Sequence, residues 1–274
     1  MTIRARNFAV AAFLAVVAAA GLWYLLAPPT VPPPTAVVPR EVRVAAASDL
    51  KFALAEVAAG FARVHPNIAV KITYGSSGNF YTQLASEAPF DLFLSADREY
   101  PRKLVEQGHA VRDSEFQYAV GRLVVWVPNG SPLDLEKLGI RAAADPGMKK
   151  VAIANPRHAP YGRAAEAALK HAGVYDQVKD RLALGENIAQ AAQFVESGAA
   201  DVGLIALSLA MAPTMKDRGR FWEVPADAFP RIDQCGVELT WAKDKAATKV
   251  LCDYLTGEHG RAVLRKYGFR LPGE

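Results

Sequence analysis

The chain has 274 residues, 51% of them hydrophobic and 22% charged, which is ample for a large core and suits one or two domains. The net charge of +4 arises from scattered basic residues with no dense Lys/Arg block and no aromatic–basic repeat, so nucleic acid is excluded as a partner. Two cysteines and five dispersed histidines make no zinc pattern.

At the N-terminus, Arg4 and Arg6 precede an uncharged apolar run from Phe8 to Leu26. Its length, about 19 residues, lies between that of a signal-peptide core and that of a spanning helix. The small residues Val17-Ala18-Ala19-Ala20-Gly21 suit a signal peptidase. Trp23 and Tyr24 suit the aromatic belt of an uncleaved anchor. Residues 1–26 are therefore expected to be a signal peptide or signal anchor. Either one exports the domain that follows. Residues 27–40 carry six prolines and read as an extended, semi-rigid spacer.

Val42 to Ala46 reads as a short buried strand. Leu50, Leu54, Val57, Phe61 and Val64 then recur at helical steps, and His65-Pro66-Asn67 ends that helix. Ile68 to Tyr74 alternates as a strand, and the turn Gly75-Ser76-Ser77-Gly78-Asn79 opens a helix running through Leu84. Phe90 to Leu94 is another buried strand, followed by a helix from Tyr100 to Gln107 closed by Gly108. Alternation of strand and helix means a parallel sheet with right-handed crossovers. Phe116 to Val127 is longer than its neighbours need, and a strand of that length can leave one sheet and enter another.

The rhythm then restarts. Strands are expected at Val151–Ala154, Leu182–Leu184 and Val202–Ala206, and helices at Arg163–Ala172 and Ile188–Val195. Ile232 to Ala242 reads as a second long strand, interrupted at Cys235-Gly236, before helices at Lys245–Leu255 and Glu258–Lys266. Two long strands bracketing a complete α/β unit predict two lobes, residues 41–120 plus 235–274 and residues 121–234. In open α/β sheets, ligands bind at the carboxyl ends of strands. Three Gly/Ser/Pro-rich turns follow strands: Ala45 to Asp49, Tyr74 to Asn79 and Asn155 to Gly162. Two fall in one lobe and one in the other, so they can converge on a cleft closed by hinge motion. A turn opening a helix presents unpaired N–H groups and the positive end of the helix dipole, and serine hydroxyls add neutral donors; together these make an anion cradle.

From about Val42 to its end the chain resembles the periplasmic molybdate-binding proteins of ABC importers. The matching pieces are Ala45-Ala46-Ala47-Ser48-Asp49-Leu50, Tyr74-Gly75-Ser76-Ser77-Gly78, Phe93-Leu94-Ser95-Ala96-Asp97 and Asn155-Pro156-Arg157-His158-Ala159-Pro160-Tyr161-Gly162. Glu186-Asn187-Ile188, Ser197-Gly198-Ala199-Ala200-Asp201-Val202-Gly203 and Lys266-Tyr267-Gly268-Phe269 complete the set. The resemblance implies an α/β type II periplasmic binding protein: two lobes with mixed, mainly parallel sheets, joined by two crossing strands, with the ligand in the interlobe cleft. It implies a tetrahedral oxyanion, molybdate or tungstate, with no cofactor and no catalysis. It also implies a monomer that delivers the anion to a membrane permease.

By the same resemblance, Ser48 and Ser77 are hydroxyl donors, and Tyr161 and Ile188 are backbone N–H donors. All four hold the oxyanion's oxygens rather than its metal. Asp49 stands where one branch of the family places a donor Asn. An ionised carboxylate cannot donate, so Asp49 is expected to give its backbone N–H and to turn its side chain away as a helix N-cap. Ala206 stands where another branch uses a Tyr hydroxyl, so this chain falls nearer the branch that lacks that tyrosine. Arg157 and His158 are expected at the rim, and Asp91 and Asp97 as caps or interlobe contacts. Cys235 and Cys252 are compatible with a disulfide in an oxidising compartment and equally with two free thiols. Receptors for sulfate or phosphate are the nearest alternative. A tetrapyrrole-building deaminase of the same two-lobed architecture is the enzyme alternative, but it would need a cofactor-bearing cysteine and a basic cleft.

Overall fold

Two sheets of five strands each organise the chain, and they repeat one another's layout. The computed structural model describes Trp23 and residues 40–274. The signal or anchor segment and the spacer otherwise lie outside the described residues. Among the described residues, no helix is long and apolar enough to cross a membrane.

The first sheet begins with β1 (Arg40–Ala47), β2 (Ile68–Gly75) and β3 (Leu92–Ser95), separated by helices α1 (Lys51–Val64) and α2 (Ser77–Leu84). After α3 (Glu99–Glu106) comes β4 (Phe116–Gly121). β1 pairs in parallel with both β2 and β3, so both its edges are satisfied inside the sheet, and consecutive residues at its end are buried on both faces. That is why Val42 to Ala47 is an apolar run broken only by Arg43, whereas β2, at the edge, alternates buried and open positions. α1 buries Leu54, Val57 and Phe61 in a core shared with Leu251, Leu255, Val263 and Leu264, which draws the C-terminal helices into this lobe.

The second sheet contains β5 (Leu123–Pro128), β6 (Val151–Ala154), β7 (Leu182–Gly185), β8 (Val202–Ala206) and β9 (Gly219–Glu223). The short α4 (Leu135–Leu138) follows β5. The helices α5 (Pro160–His171), α6 (Tyr175–Val178), α7 (Ile188–Glu196) and the short α8 (Leu207–Ala210) separate the later strands. Its core gathers Trp126, Ile153, Leu169 and Ile205. The last strand, β10 (Ile232–Glu238), returns to the first sheet, followed by α9 (Lys245–Thr256) and α10 (Glu258–Lys266). The strand orders are β2-β1-β3-β10-β4 and β7-β6-β8-β5-β9. Each sheet is mixed, with two parallel and two antiparallel pairings.

The long run from Phe116 does leave one sheet for the other, but as two strands broken at Arg122. That side chain forks onto the Glu223 carboxylate and reaches the Gly268 carbonyl at 3.3 Å. The second expected long strand is shorter. β10 ends at Glu238 and lies wholly in the first sheet, and the interruption expected at Cys235-Gly236 is a register shift between Gln234 and Cys235. The chain makes its second passage between sheets over residues 224–231, ahead of that strand. β9 was not legible in the sequence, being a half-exposed edge strand of mixed polarity. α5 starts at Pro160, earlier than periodicity suggests, because proline's fixed φ and missing N–H suit a first helical position.

Candidate functional site

A pair of parallel strands at one side of each sheet sets the site. β1 and β2 end side by side at Ala47 and Gly75, and β6 and β7 end side by side at Ala154 and Gly185. The four turns that follow face one another. They enclose a hollow lined by Ser48, Asp49, Ser77, Tyr161 and Ile188 together with Ala47, Gly75, Ser76, Ala96, Ala159 and Pro160. All five sequence-predicted site residues are thus brought together. The hollow is tight, with about 10 Å³ of free volume. That is far below the roughly 300–1,000 Å³ of pockets for drug-sized molecules, so it has no room for a sugar or peptide. No Lys, Arg or His lines it.

Ser77 is the first residue of α2, and its Oγ accepts the Ala96 N–H at 3.0 Å. With one lone pair so engaged, the hydroxyl proton is left to donate. Ser48 opens the short 3-10 turn after β1; its Oγ donates to Asn187 Oδ1 at 3.1 Å and accepts the Ala189 N–H at 3.3 Å. Asn187 is the N-cap of α7 and takes the N–H groups of Ala189 and Gln190. Ile188, as first residue of that helix, has no intrahelical partner for its own N–H. Tyr161, second in α5, is in the same position. Helix first turns therefore converge from both lobes, each contributing partial positive charge.

Asp49 departs from expectation. It does not cap the following helix, whose N-cap is Leu50 with no side-chain bond. Instead the carboxyl is buried, with Oδ2 accepting from Gln234 Nε2 of β10. The Tyr161 hydroxyl also leans on it. Burial is the dominant influence and pushes the carboxyl up to about 6. The Gln234 amide, the Tyr161 hydroxyl and the backbone N–H groups of Asp49 and Leu50 pull it back only partly. The other oxygen, Oδ1, has no hydrogen-bond partner of good geometry, and neither does Gln234 Oε1. Burial next to this carboxylate holds the Tyr161 hydroxyl well above its ordinary range, so it stays a neutral donor.

The lobes touch around the hollow. The His158 carbonyl takes the Gly78 N–H at 2.9 Å and the Ser76 hydroxyl at 2.7 Å, and its Nδ1 lies 2.9 Å from that hydroxyl. Arg163 reaches Asp97 at 2.6 Å and the Tyr100 hydroxyl at 3.1 Å. Ser208 donates to the Asp49 carbonyl at 2.8 Å. His158, expected at the rim, is thus a bridge, while its neighbour Arg157 is exposed. Asp97 makes an interlobe contact and also takes the Tyr100 N–H. Asp91 is a buried brace, accepting from the backbone of Arg43 and Lys243.

Sequence reasoning missed Gln234 and Arg163. Gln234 had a signal, an amide inside an apolar strand. Arg163 carried none, being one charge among several on a helix face. Ala206 is fully buried at the end of β8 and offers no hydroxyl. Both cysteines are free, Cys235 buried and Cys252 half-buried. Among the described residues, no group of three or more acidic, His or Cys side chains is placed to hold a metal ion.

Residues 42–270 match the family described as bacterial extracellular solute-binding protein. Two relatives are molybdate-binding proteins ModA. The one from Rhodobacter capsulatus is 40% identical over 200 residues, covering 73% of this chain and 77% of the relative. The one from Azotobacter vinelandii is 38% identical over 231 residues, covering 84% and 90%. Among solved structures, the periplasmic molybdate-binding protein of Azotobacter vinelandii superposes with a TM-score of 0.79 at 33% identity, over 84% of this chain and 99% of that one. The sulfate-binding protein SubI of Mycobacterium tuberculosis shares the fold at a TM-score of 0.70 and 16% identity, over 85% and 88% of the two chains.

Proposed function

We propose that this chain, which belongs to the bacterial extracellular solute-binding proteins, captures molybdate outside the cytoplasm and hands it to the membrane permease of an ABC importer. The observation that carries this reading is the hollow itself: uncharged donors from both lobes, with no cation among them. Ser77, the N–H groups of Tyr161 and Ile188, and Ser48 once its proton turns from Asn187 Oδ1 to the anion are its proposed donors, with tungstate, of the same shape and charge, as a second ligand. A dianion can be held in this way because each hydrogen bond to a charged acceptor contributes roughly 1.5–3 kcal/mol, and helix N-termini add to it. Sulfate, fully ionised but smaller, spans the same donors less well. The protein acts as a monomer, binding rather than transforming its ligand.

Calorimetry with molybdate, tungstate, sulfate and phosphate tests the proposal. Binding heat with the first two alone supports it. Heat with sulfate or phosphate in preference reassigns the ligand, and silence with all four removes the oxyanion reading.

A further inference from the structure

A carboxylate is an odd neighbour for a dianion, and Asp49 lines the same hollow as the proposed donors. Its surroundings can be taken element by element. From β10, Gln234 offers its amide N–H₂, which is neutral. From α5 comes the Tyr161 hydroxyl, and from β4 the buried Tyr118, both held protonated by burial and by Asp49's own charge. From α8, Ser208 bonds the Asp49 carbonyl rather than its carboxylate. Among the described residues no Lys, Arg or His side chain bonds to Asp49, so nothing cationic neutralises it. Oδ1 is buried without a partner, an acceptor position that a proton would turn into a donor.

We propose that Asp49 takes up one proton from solvent when the oxyanion binds, and that its O–H, carried on Oδ1, joins the neutral donors around the ligand. This rests on the oxyanion reading above. Charge and protons balance: a carboxylate, a dianion and one proton become a carboxylic acid and a bound dianion. The physical cause is twofold. Burial already weakens the ionised form, bringing this carboxyl to about 6 before any ligand charge is added. A dianion in the same hollow raises it further, so binding and protonation must favour each other. Asp49 thereby recovers, in its acid form, the donor that an amide would supply at this position.

Calorimetric titration of the protein with molybdate between pH 6 and 8.5, in two buffers differing in ionisation heat, reads the coupling. At pH 7.5 close to one proton is taken up per anion. Kd rises by up to about tenfold per pH unit above pH 6. Asp49→Asn, which donates without titrating, shows no uptake and a flat Kd. A wild-type protein that binds molybdate without taking up a proton overturns the proposal, as does an Asn variant that keeps the slope. Difference infrared spectroscopy of the unmutated protein is independent of how the variant folds. Appearance of a protonated carboxyl stretch on adding molybdate supports the assignment, and its absence at pH 7.5 overturns it. Absence of heat at every pH defeats the ligand reading and this inference together.

Discussion

Gly78→Ala separates binding from stability, and the structure fixes both directions. Gly78 sits in the first turn of α2 with an ordinary negative φ, so a methyl group introduces no backbone strain. Alanine is in fact the better helix former by about 1 kcal/mol. Across the cleft the situation reverses. A Cβ at this position stands 2.6 Å from the His158 carbonyl oxygen and 2.6 Å from the Tyr100 hydroxyl. Tyr100 lies in the same lobe and can swing its tip away. The carbonyl belongs to the backbone of the opposite lobe and must retreat by roughly 0.8 Å to reach ordinary contact. That retreat stretches both bonds accepted by His158, from Gly78 N–H and from Ser76 Oγ. Losing two hydrogen bonds of about 0.5–1.5 kcal/mol each biases the protein against closure by about 1–3 kcal/mol, equivalent to roughly 5- to 150-fold in Kd. Calorimetry measures the affinity, and urea unfolding of the ligand-free protein measures the stability. The expected pattern is weaker molybdate binding with stability unchanged or slightly raised. Wild-type affinity in this variant would refute the idea that the His158 contact forms as the ligand is enclosed.

Ser77→Ala removes one proposed donor and strands the Ala96 N–H. Molybdate binding is expected to weaken roughly 10- to 150-fold by calorimetry and unfolding to cost about 1–3 kcal/mol, and unchanged affinity would exclude the hydroxyl from the site. Asp49→Asn tests the buried carboxyl through stability. An acid raised from 3.8 to about 6 on folding destabilises the fold by about 3 kcal/mol above pH 6, a penalty that fades as pH falls toward 3.8. The variant should therefore gain up to that amount over wild type in urea unfolding at pH 8 and nothing near pH 4, and a gap independent of pH contradicts the assignment. Arg163→Ala breaks the interlobe pair with Asp97. Because Arg163 is 36% exposed, about 1 kcal/mol or less is at stake, a few-fold in Kd that shrinks as salt is added. A loss insensitive to salt would point instead to the packing of Arg163 over the Tyr100 ring.

Much of the fold was legible because its strands are covered on both faces and its helices on one, which writes two different periods into the chain. Val42 to Ala47 and Val202 to Ala206 could hardly be anything but buried strands. Turns were legible too, since Gly, Ser and Pro mark them chemically. What failed to show was what depends on the far side of the cleft. The break at Arg122 is set by Glu223, about a hundred residues on, and no local pattern reports that partner. His158 resembles a solvated loop residue because its carbonyl, the atom that bridges the lobes, exists in every residue. Aspartate before a helix usually caps it, and nothing near Asp49 in the chain signals otherwise. Gln234, from the other end of the chain, turns that carboxyl inward instead.

The duplicated layout explains why a site without cations needs two lobes. In each sheet the same pair of parallel strands ends at the cleft, and each pair delivers two proposed donors: Ser48 and Ser77 from one, Tyr161 and Ile188 from the other. One lobe alone offers two neutral hydrogen bonds, about 3–6 kcal/mol before the cost of stripping water from a dianion. That is too little for capture at trace concentration. The second lobe adds a comparable amount only when the hinge brings it close, so the ligand's preference for the closed form is the second lobe's contribution, about 3–6 kcal/mol. By population-shift arithmetic the lower figure brings an equilibrium that stands at roughly 1:99 without ligand to about even, and the upper figure reverses it. A cation in one lobe would hold the anion without closure and erase that difference. With neutral donors split evenly, closure reports occupancy, and a permease that docks on the closed shape admits only loaded protein.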